Sequence, residues 1–352
     1  MISRSALFFL FSVLTILTGG CDEEEKRRLP RHSGASGEVM LVISDELWDG
    51  PEGDTLRSIL EAYVPLLPQA EPRFSLLRFR LDQMSDLLKQ HRNILEVEIG
   101  EDIDPEKEGV KVIRDKWSSH QLVFTMKTRN RADFFELVGT QLPRIADIID
   151  QTEIDRLKKK HARFNERDMN DLVREKFGLE MNFPTETELA KEKRNFVWLK
   201  RERVKYKGNV AHDITQGFFV FRYPYAGEKS LTEAAVLAAR DSVLRTHVPG
   251  PDPGSYMTTE YRFPPFSRAV NKNDRYTLLT DGLWRTENAF MGGPFTALTT
   301  VSDDGNYVVS VSGFVFAPNF QKREYIREIR AVLDDMRFAE QESETTEDKP
   351  TS

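Results

Sequence analysis

The chain has 352 residues, of which 39% are apolar and 30% charged, and its formal net charge is −7 at pH 7. That balance excludes a collagenous, disulfide-scaffolded or wholly disordered chain, and the acidic surplus argues against a nucleic-acid protein, which shows a basic stripe. One cysteine, Cys21, cannot form an internal disulfide.

Residues 1–20 read as a secretion signal. Arg4 supplies the positive start, residues 6–17 are apolar except for Ser12 and Thr15, and Thr18, Gly19 and Gly20 are small residues ahead of Cys21. The apolar run is shorter than the ~20 residues a bilayer span needs. Small residues leading into a cysteine resemble the lipobox of bacterial lipoproteins, with Thr18 standing where a branched apolar residue is usual. The resemblance implies that the mature chain starts at Cys21 and is acylated there. Stable membrane anchoring takes more than one acyl chain, each buried methylene contributing ~0.8 kcal/mol. Residues 21–37 run from four acids through Lys26, Arg27 and Arg28 into Pro30, Gly34 and Gly37, and read as a flexible tether.

The α/β pattern begins after the tether. Residues 39–43 form a short apolar run expected to be a buried strand, and "SDELWDGPEGD" follows as a loop before a helix carrying Leu56, Ile59, Leu60 and Tyr63. Residues 74–81 predict a second strand and 84–91 a short helix. In "NILEVEIG", Leu95, Val97 and Ile99 alternate with Glu96 and Glu98, which predicts a strand with one wet face. Residues 122–126 predict another strand. From 132 the period becomes helical, with one helix through Ile149, kinked at Pro143, and a second from Ile154 to Val173. Residues 38–177 are therefore expected to form an α/β domain.

Residues 178–338 read as an antiparallel-sheet domain with packed helices, so the whole chain is expected to be α+β. Strands are predicted at 196–201, 218–223, 276–279, 295–301 and 307–316, the last two joined by the turn "SDDGN". "SLTE" at 230–233 has the capping-box pattern ahead of a helix that Pro249 ends. Tyr325, Ile326, Ile329, Leu333 and Met336 predict a closing amphipathic helix. The order of elements resembles the PsbP-like sandwich. Residues 339–352 form an acidic, Ser/Thr-rich tail with the composition of a disordered segment.

No reaction signature emerges. The six histidines are scattered without metal-ligand spacing, and nucleophile-elbow, dinucleotide and phosphate-loop motifs are missing, so no metal, cofactor or catalytic residue is assigned. The acids Asp45, Glu46, Asp49, Glu52 and Asp54 crowd one strand-to-helix loop; calcium chemistry and simple helix capping by Asp54 or Thr55 both fit that pattern. The basic run Lys158, Lys159, Lys160, His161 and Arg163 reads as a solvated helix face. The long Pro-rich loop 249–266, together with "DGLWRTENAFMGGPF" at 281–295, is the candidate binding region. There Tyr256, Tyr261, Trp284 and Phe290 are placed to form an aromatic platform beside Glu260 and Arg285. The same aromatics are equally suited to filling a core.

"SDELWDGPEGD", "RNILEVEIG", "DKWSSHQLVF", "PGPDPGSYMTTE" and "MGGPF", together with the lipobox-like start, resemble a Bacteroidota envelope lipoprotein family catalogued as domain of unknown function 4837. The resemblance covers nearly all of the mature chain and brings no known activity. It implies an outer-membrane lipoprotein, periplasmic or surface-exposed, with Asp22 to Glu25 resembling a surface-export signal. Three functional expectations follow: a lipid-anchored, non-catalytic module binding an envelope protein or glycan; a surface glycan hydrolase using Glu260 and Asp281; or an accessory subunit of an outer-membrane assembly.

Overall fold

The structure, a computed structural model, describes residues 29–339. The signal segment, Cys21 and its acids, and the tail beyond Ala339 lie outside the described residues. Two large sheets, each with helices packed on it, and a small two-stranded sheet make up the fold.

The first sheet contains β1 (Glu38–Val42), β2 (Ser75–Phe79), β3 (Asn93–Ile99), β4 (Gly109–Arg114) and β5 (Leu122–Thr128) in the order β2-β1-β3-β5-β4. Neighbours pair in parallel except for β4, which runs antiparallel at the edge. α1 (Asp45–Asp49), α2 (Pro51–Leu60) and α3 (Arg131–Arg163) complete this half. Leu56 and Leu60 of α2 and Phe134, Val138, Leu142 and Ile149 of α3 pack on Val39, Leu41, Leu95 and Phe124. Leu95 and Val97 are buried and Glu98 is exposed, as the alternation predicts. The segment 84–91 is not an α-helix; it makes a short 3₁₀ turn at Leu88–Gln90 after another at Leu81–Gln83. Part of the expected tether is fastened instead, because Ser33 accepts from Arg92 N and donates its own N–H to Gln90 O, at 3.0 and 2.9 Å.

α3 is a single 33-residue helix with Pro143 inside it, where two helices meeting nearer Ile149 were expected. The chain breaks at Phe164 to Glu166, and α4 (Arg167–Phe177) follows, capped by Gly178 in the left-handed region that glycine tolerates. Val173 and Phe177 of α4 lie in the core of the second sheet, so the chain changes cores ahead of α4, not at residue 177.

The second half adds β6 (Leu179–Glu180), β7 (Glu188–Lys193), β8 (Phe196–Lys207), β9 (Val210–Pro224), α5 (Glu233–His247), β10 (Tyr256–Thr259), β11 (Phe266–Lys272), β12 (Arg275–Glu287), β13 (Gly292–Val301), β14 (Tyr307–Phe316), α6 (Arg323–Asp334) and β15 (Arg337–Phe338). Eight strands make an antiparallel sheet, β10-β12-β13-β14-β9-β8-β7, with β11 also on the edge of β12. The fold is α+β. α5 covers one sheet face over Phe196, Phe219, Phe295 and Phe314. α6 and α4 cover the other, over Val197, Phe218, Val220, Val311 and Val315. The N-cap of α5 is Thr232, whose hydroxyl accepts from Ala235 N at 3.4 Å, two residues beyond the start that the capping-box pattern indicated.

Candidate functional site

The predicted binding region is divided between core and surface, with Trp284 and Phe295 buried and Tyr261, Phe263, Phe266 and Phe290 exposed. Residues 281–287 are not loop but the end of β12, and only Asn288 to Met291 turn the chain into β13. Trp284 is 2% exposed, donates its indole N–H to Val315 O at 3.2 Å, and packs edge-on against Phe314. Tyr256 is half-buried beneath the Arg245 guanidinium, whereas Phe290 stands fully in solvent and Tyr261 is half-exposed with its hydroxyl on Asp241 at 2.7 Å. Trp284 is therefore core and not part of an exposed platform, whereas Tyr261 and Phe290 are exposed. Beneath them the Arg240 guanidinium lies 3.8 Å from the centre of the Phe295 ring, and complete burial lowers its pKa to about 10.

Glu260 is buried and held by Arg262, with Arg285 4.0 Å away. Hydrogen bonds from Arg262 hold its pKa at about 2, against the burial that would raise it. A general acid needs the opposite shift. Asp281 lines the large cleft described below and Glu260 does not, so the two carboxylates expected of a hydrolase share no cleft.

The acid-rich loop is also resolved into local structure. Ser44 caps α1 by accepting from Leu47 N, Pro51 opens α2, and Asp54 pairs with Arg57, so neither Asp54 nor Thr55 is a cap. Among the described residues no group of three or more His, Cys, Asp or Glu is placed to hold a metal. The basic run on α3 is not wholly solvated: Lys158 pairs with Asp334 at 2.7 Å and His161 is 2% exposed. Burial lowers the His161 pKa to about 4.

The open space lies elsewhere, between the second sheet with α6 on one side and α3 with the loop after α2 on the other. A cleft of about 1120 Å³ is bounded by the loop after α2, by α3, by α6 and by the face of β11, β12 and β13. Its floor follows from strand register, since directly opposed residues share a face. One row runs Phe266, Asp281, Thr296, Gly313, and the next runs Arg268, Leu279, Leu298, Val311. At the β14 end of these rows α6 comes very close. A β-carbon on Gly313 would lie 2.2 Å from Ile329 Cγ2, so only glycine admits the helix there. Toward β11 the rows reach the surface, with Phe266 and Arg268 exposed, whereas Thr296 and Leu298 are buried.

α6 is held over the cleft by the first half of the molecule. Its N-terminal residues have no side-chain cap of their own. Glu71, 1% exposed, supplies one by accepting from Lys322 N at 2.7 and 2.8 Å and from Arg323 N at 2.8 Å. Orphan N–H groups at a helix start favour such a carboxylate. Arg327 then reaches Asp150 of α3 at 2.9 Å, and Arg73 pairs with Asp150 and Asp147 at 2.6 and 2.7 Å. Arg330 pairs with Asp281 on the floor at 3.2 Å. None of these partners is near the other in sequence, so sequence spacing could not find the site; the one available signal was the glycine opposite the closing helix.

Residues 166–335 match the family model described as Domain of unknown function (DUF4837), and residues 32–162 match a second, Domain of unknown function (DUF8532). The first match covers the second half of the fold only, a narrower span than the resemblance read from the sequence, and the seam between the matches falls at the α3–α4 break. No curated protein matches. Among solved structures, similarity is found to a protein from Bacteroides thetaiotaomicron, at 11% identity and a TM-score of 0.24 over 48% of this chain and 48% of that one. A mutant of Mog1 is similar at 9% identity and a TM-score of 0.29 over 46% of this chain and 91% of that one. This chain thus spans about half the length of the first of these.

Proposed function

We propose that the protein is a non-catalytic binding module of the cell envelope, anchored through lipid on Cys21, and that its ligand sits in the cleft between the second sheet and α3. The observation that supports this is the cleft itself. Its volume of about 1120 Å³ exceeds the ~300–1,000 Å³ of ordinary ligand pockets. Aliphatic side chains and paired charges line it, and a carboxylate-capped helix braces it open. Membrane attachment rests on the sequence around Cys21. The resemblance read from the sequence supports an outer-membrane anchor in a Bacteroidota cell.

Two measurements test the reading. In native membranes the wild-type chain should fractionate with lipid and the Cys21→Ser variant should not; retention of the variant would refute the anchor. For the site, hydrogen exchange of the purified Cys21→Ser chain with an envelope extract should slow amides of the loop after α2, of β11 and of α6. Protection confined to the 249–263 loop would return the site to the region first expected and refute the cleft.

A further inference from the structure

We propose that the tip of the hairpin formed by β8 and β9 seats the protein on a membrane surface of anionic lipid headgroups. The proposal rests on the Cys21 anchor for the nearness of that surface, and on the hairpin for the contact. β7 pairs with β8 only as far as Lys200, and β14 pairs with β9 only as far as Thr215. β8 and β9 go on pairing with each other to Lys207 and Val210. Residues 201–214 therefore form a two-stranded arm with no strand on either flank among the described residues. Such an arm is marginal by itself, and Arg203 ties its base to Glu328 of α6 at 3.1 Å.

The surface of the arm has the chemistry of a membrane interface. Val204, Tyr206 and Val210 are each more than half exposed. No acid occurs from Arg203 to His212. Lys207 is exposed and makes no ion pair or side-chain hydrogen bond among the described residues. Lys205 is exposed too, its ammonium passing over the Tyr325 and Phe320 rings at 5.1 and 5.9 Å. The nearest acids in sequence are set back from the tip: Glu202 holds Lys200 at 2.9 Å, and Asp213 stands opposite Val204. Lysines alone would guard the open strand edges; three exposed apolar side chains among them serve no such end. At a lipid surface the lysines meet headgroup phosphates, and the tyrosine ring suits the boundary between headgroup and acyl chain.

The anchor brings such a surface within reach. Only the eight residues from Cys21 to Arg28 separate the acylated position from the described chain, a reach of at most ~28 Å. From there the chain is fastened: Pro30 O accepts from Ser119 N at 2.8 Å, and Ser36 donates to Glu153 of α3 at 3.4 Å. A β-carbon on Gly37 would lie 2.7 Å from Glu324 Oε1. Glu324 stands about one turn of α6 before Glu328, the residue that holds the arm. The fastened segment and the arm thus flank the same helix, about one turn apart. The chain as a whole, at a net charge of −7, is repelled by anionic lipid, so the basic arm decides which side turns to the membrane.

Co-flotation of the full mature chain carrying Cys21→Ser, with phosphatidylcholine vesicles containing about 30% phosphatidylglycerol, tests the contact. The chain should float with these vesicles and bind vesicles of phosphatidylcholine alone about tenfold more weakly. Lys205→Gln combined with Lys207→Gln should weaken binding to the anionic vesicles about tenfold. Val204→Ser combined with Tyr206→Ser should weaken it to a similar degree. All four side chains are exposed, so neither pair should lower the melting temperature by more than ~3 °C. No binding, equal binding to the two kinds of vesicle, or unchanged binding by either double variant overturns the proposal. The anchor is tested apart from the arm, because ~0.5 M NaCl strips a contact of this kind. Native membranes washed at that salt should keep the wild-type chain and lose Cys21→Ser; loss of both would refute the anchor and leave the vesicle result standing.

Discussion

The loops at 249–295 and the cleft beneath α6 are opposites in how they present themselves. The loops are conspicuous in sequence, dense in proline, glycine and aromatic residues, and in three dimensions Trp284 and Phe295 are taken into the core while Tyr261, Phe263, Phe266 and Phe290 stay exposed. The cleft leaves almost no local mark in sequence and is an open volume of about 1120 Å³. Proline and glycine report how a backbone must turn, which is local. An unfilled volume is set by where distant elements stop approaching one another, which is not.

The contrast can be broken most sharply at Trp284. If that region is core, Trp284→Ala should cost ~3–5 kcal/mol in chemical denaturation, with protection of the cleft amides by an envelope extract unchanged. A cost under ~1 kcal/mol accompanied by lost affinity would mean that the aromatic is a contact surface after all. The next largest effect is expected at Glu71. Glu71→Ala leaves the start of α6 uncapped and should destabilise by ~2 kcal/mol, weakening ligand binding at the same time because α6 is one wall of the cleft. Loss of stability with unchanged binding would show that the wall stands without its cap.

Acid offers a third test. Burial holds both His161 and His32 at about 4, below the ordinary 6.5. The unfolded chain therefore binds more protons than the folded one between those values. Stability should be complete above pH 6.5 and fall as the pH drops toward 4, by ~1–3 kcal/mol for a well-buried histidine. His161→Asn should flatten this slope in melting curves taken across that range; an unchanged slope would place the acid sensitivity elsewhere. The smallest effect is expected at Phe290. Phe290→Ala, at a fully exposed tip, should change stability by less than ~0.5 kcal/mol and leave binding in the cleft untouched. A large loss of affinity would restore the loops as the site.

Reading the chain residue by residue succeeded where one element decides its own structure. Leu95 and Val97 alternating with glutamates, and Ile326, Ile329 and Leu333 at helical spacing, are buried as their periods require. It failed where partners are remote. The Glu260 and Asp281 carboxylates are 21 positions apart and share no cleft, while Glu71 and Lys322, far more distant, form the cap of α6. His161 looked like part of a solvated run, yet it is buried, on the helix that packs against α6.

What the sequence by itself determined is therefore the class of fold, the periods of its strands and helices, and the expectation of an anchor at Cys21, all of which depend on residues that are neighbours in the chain. What only the tertiary structure decided is which faces close and which stay open. Gly313 lets α6 settle against the sheet, Glu71 fixes its start, and Phe266 and Arg268 at the β11 edge remain exposed, because packing and ion pairing join side chains hundreds of residues apart and no local pattern encodes the gap they leave.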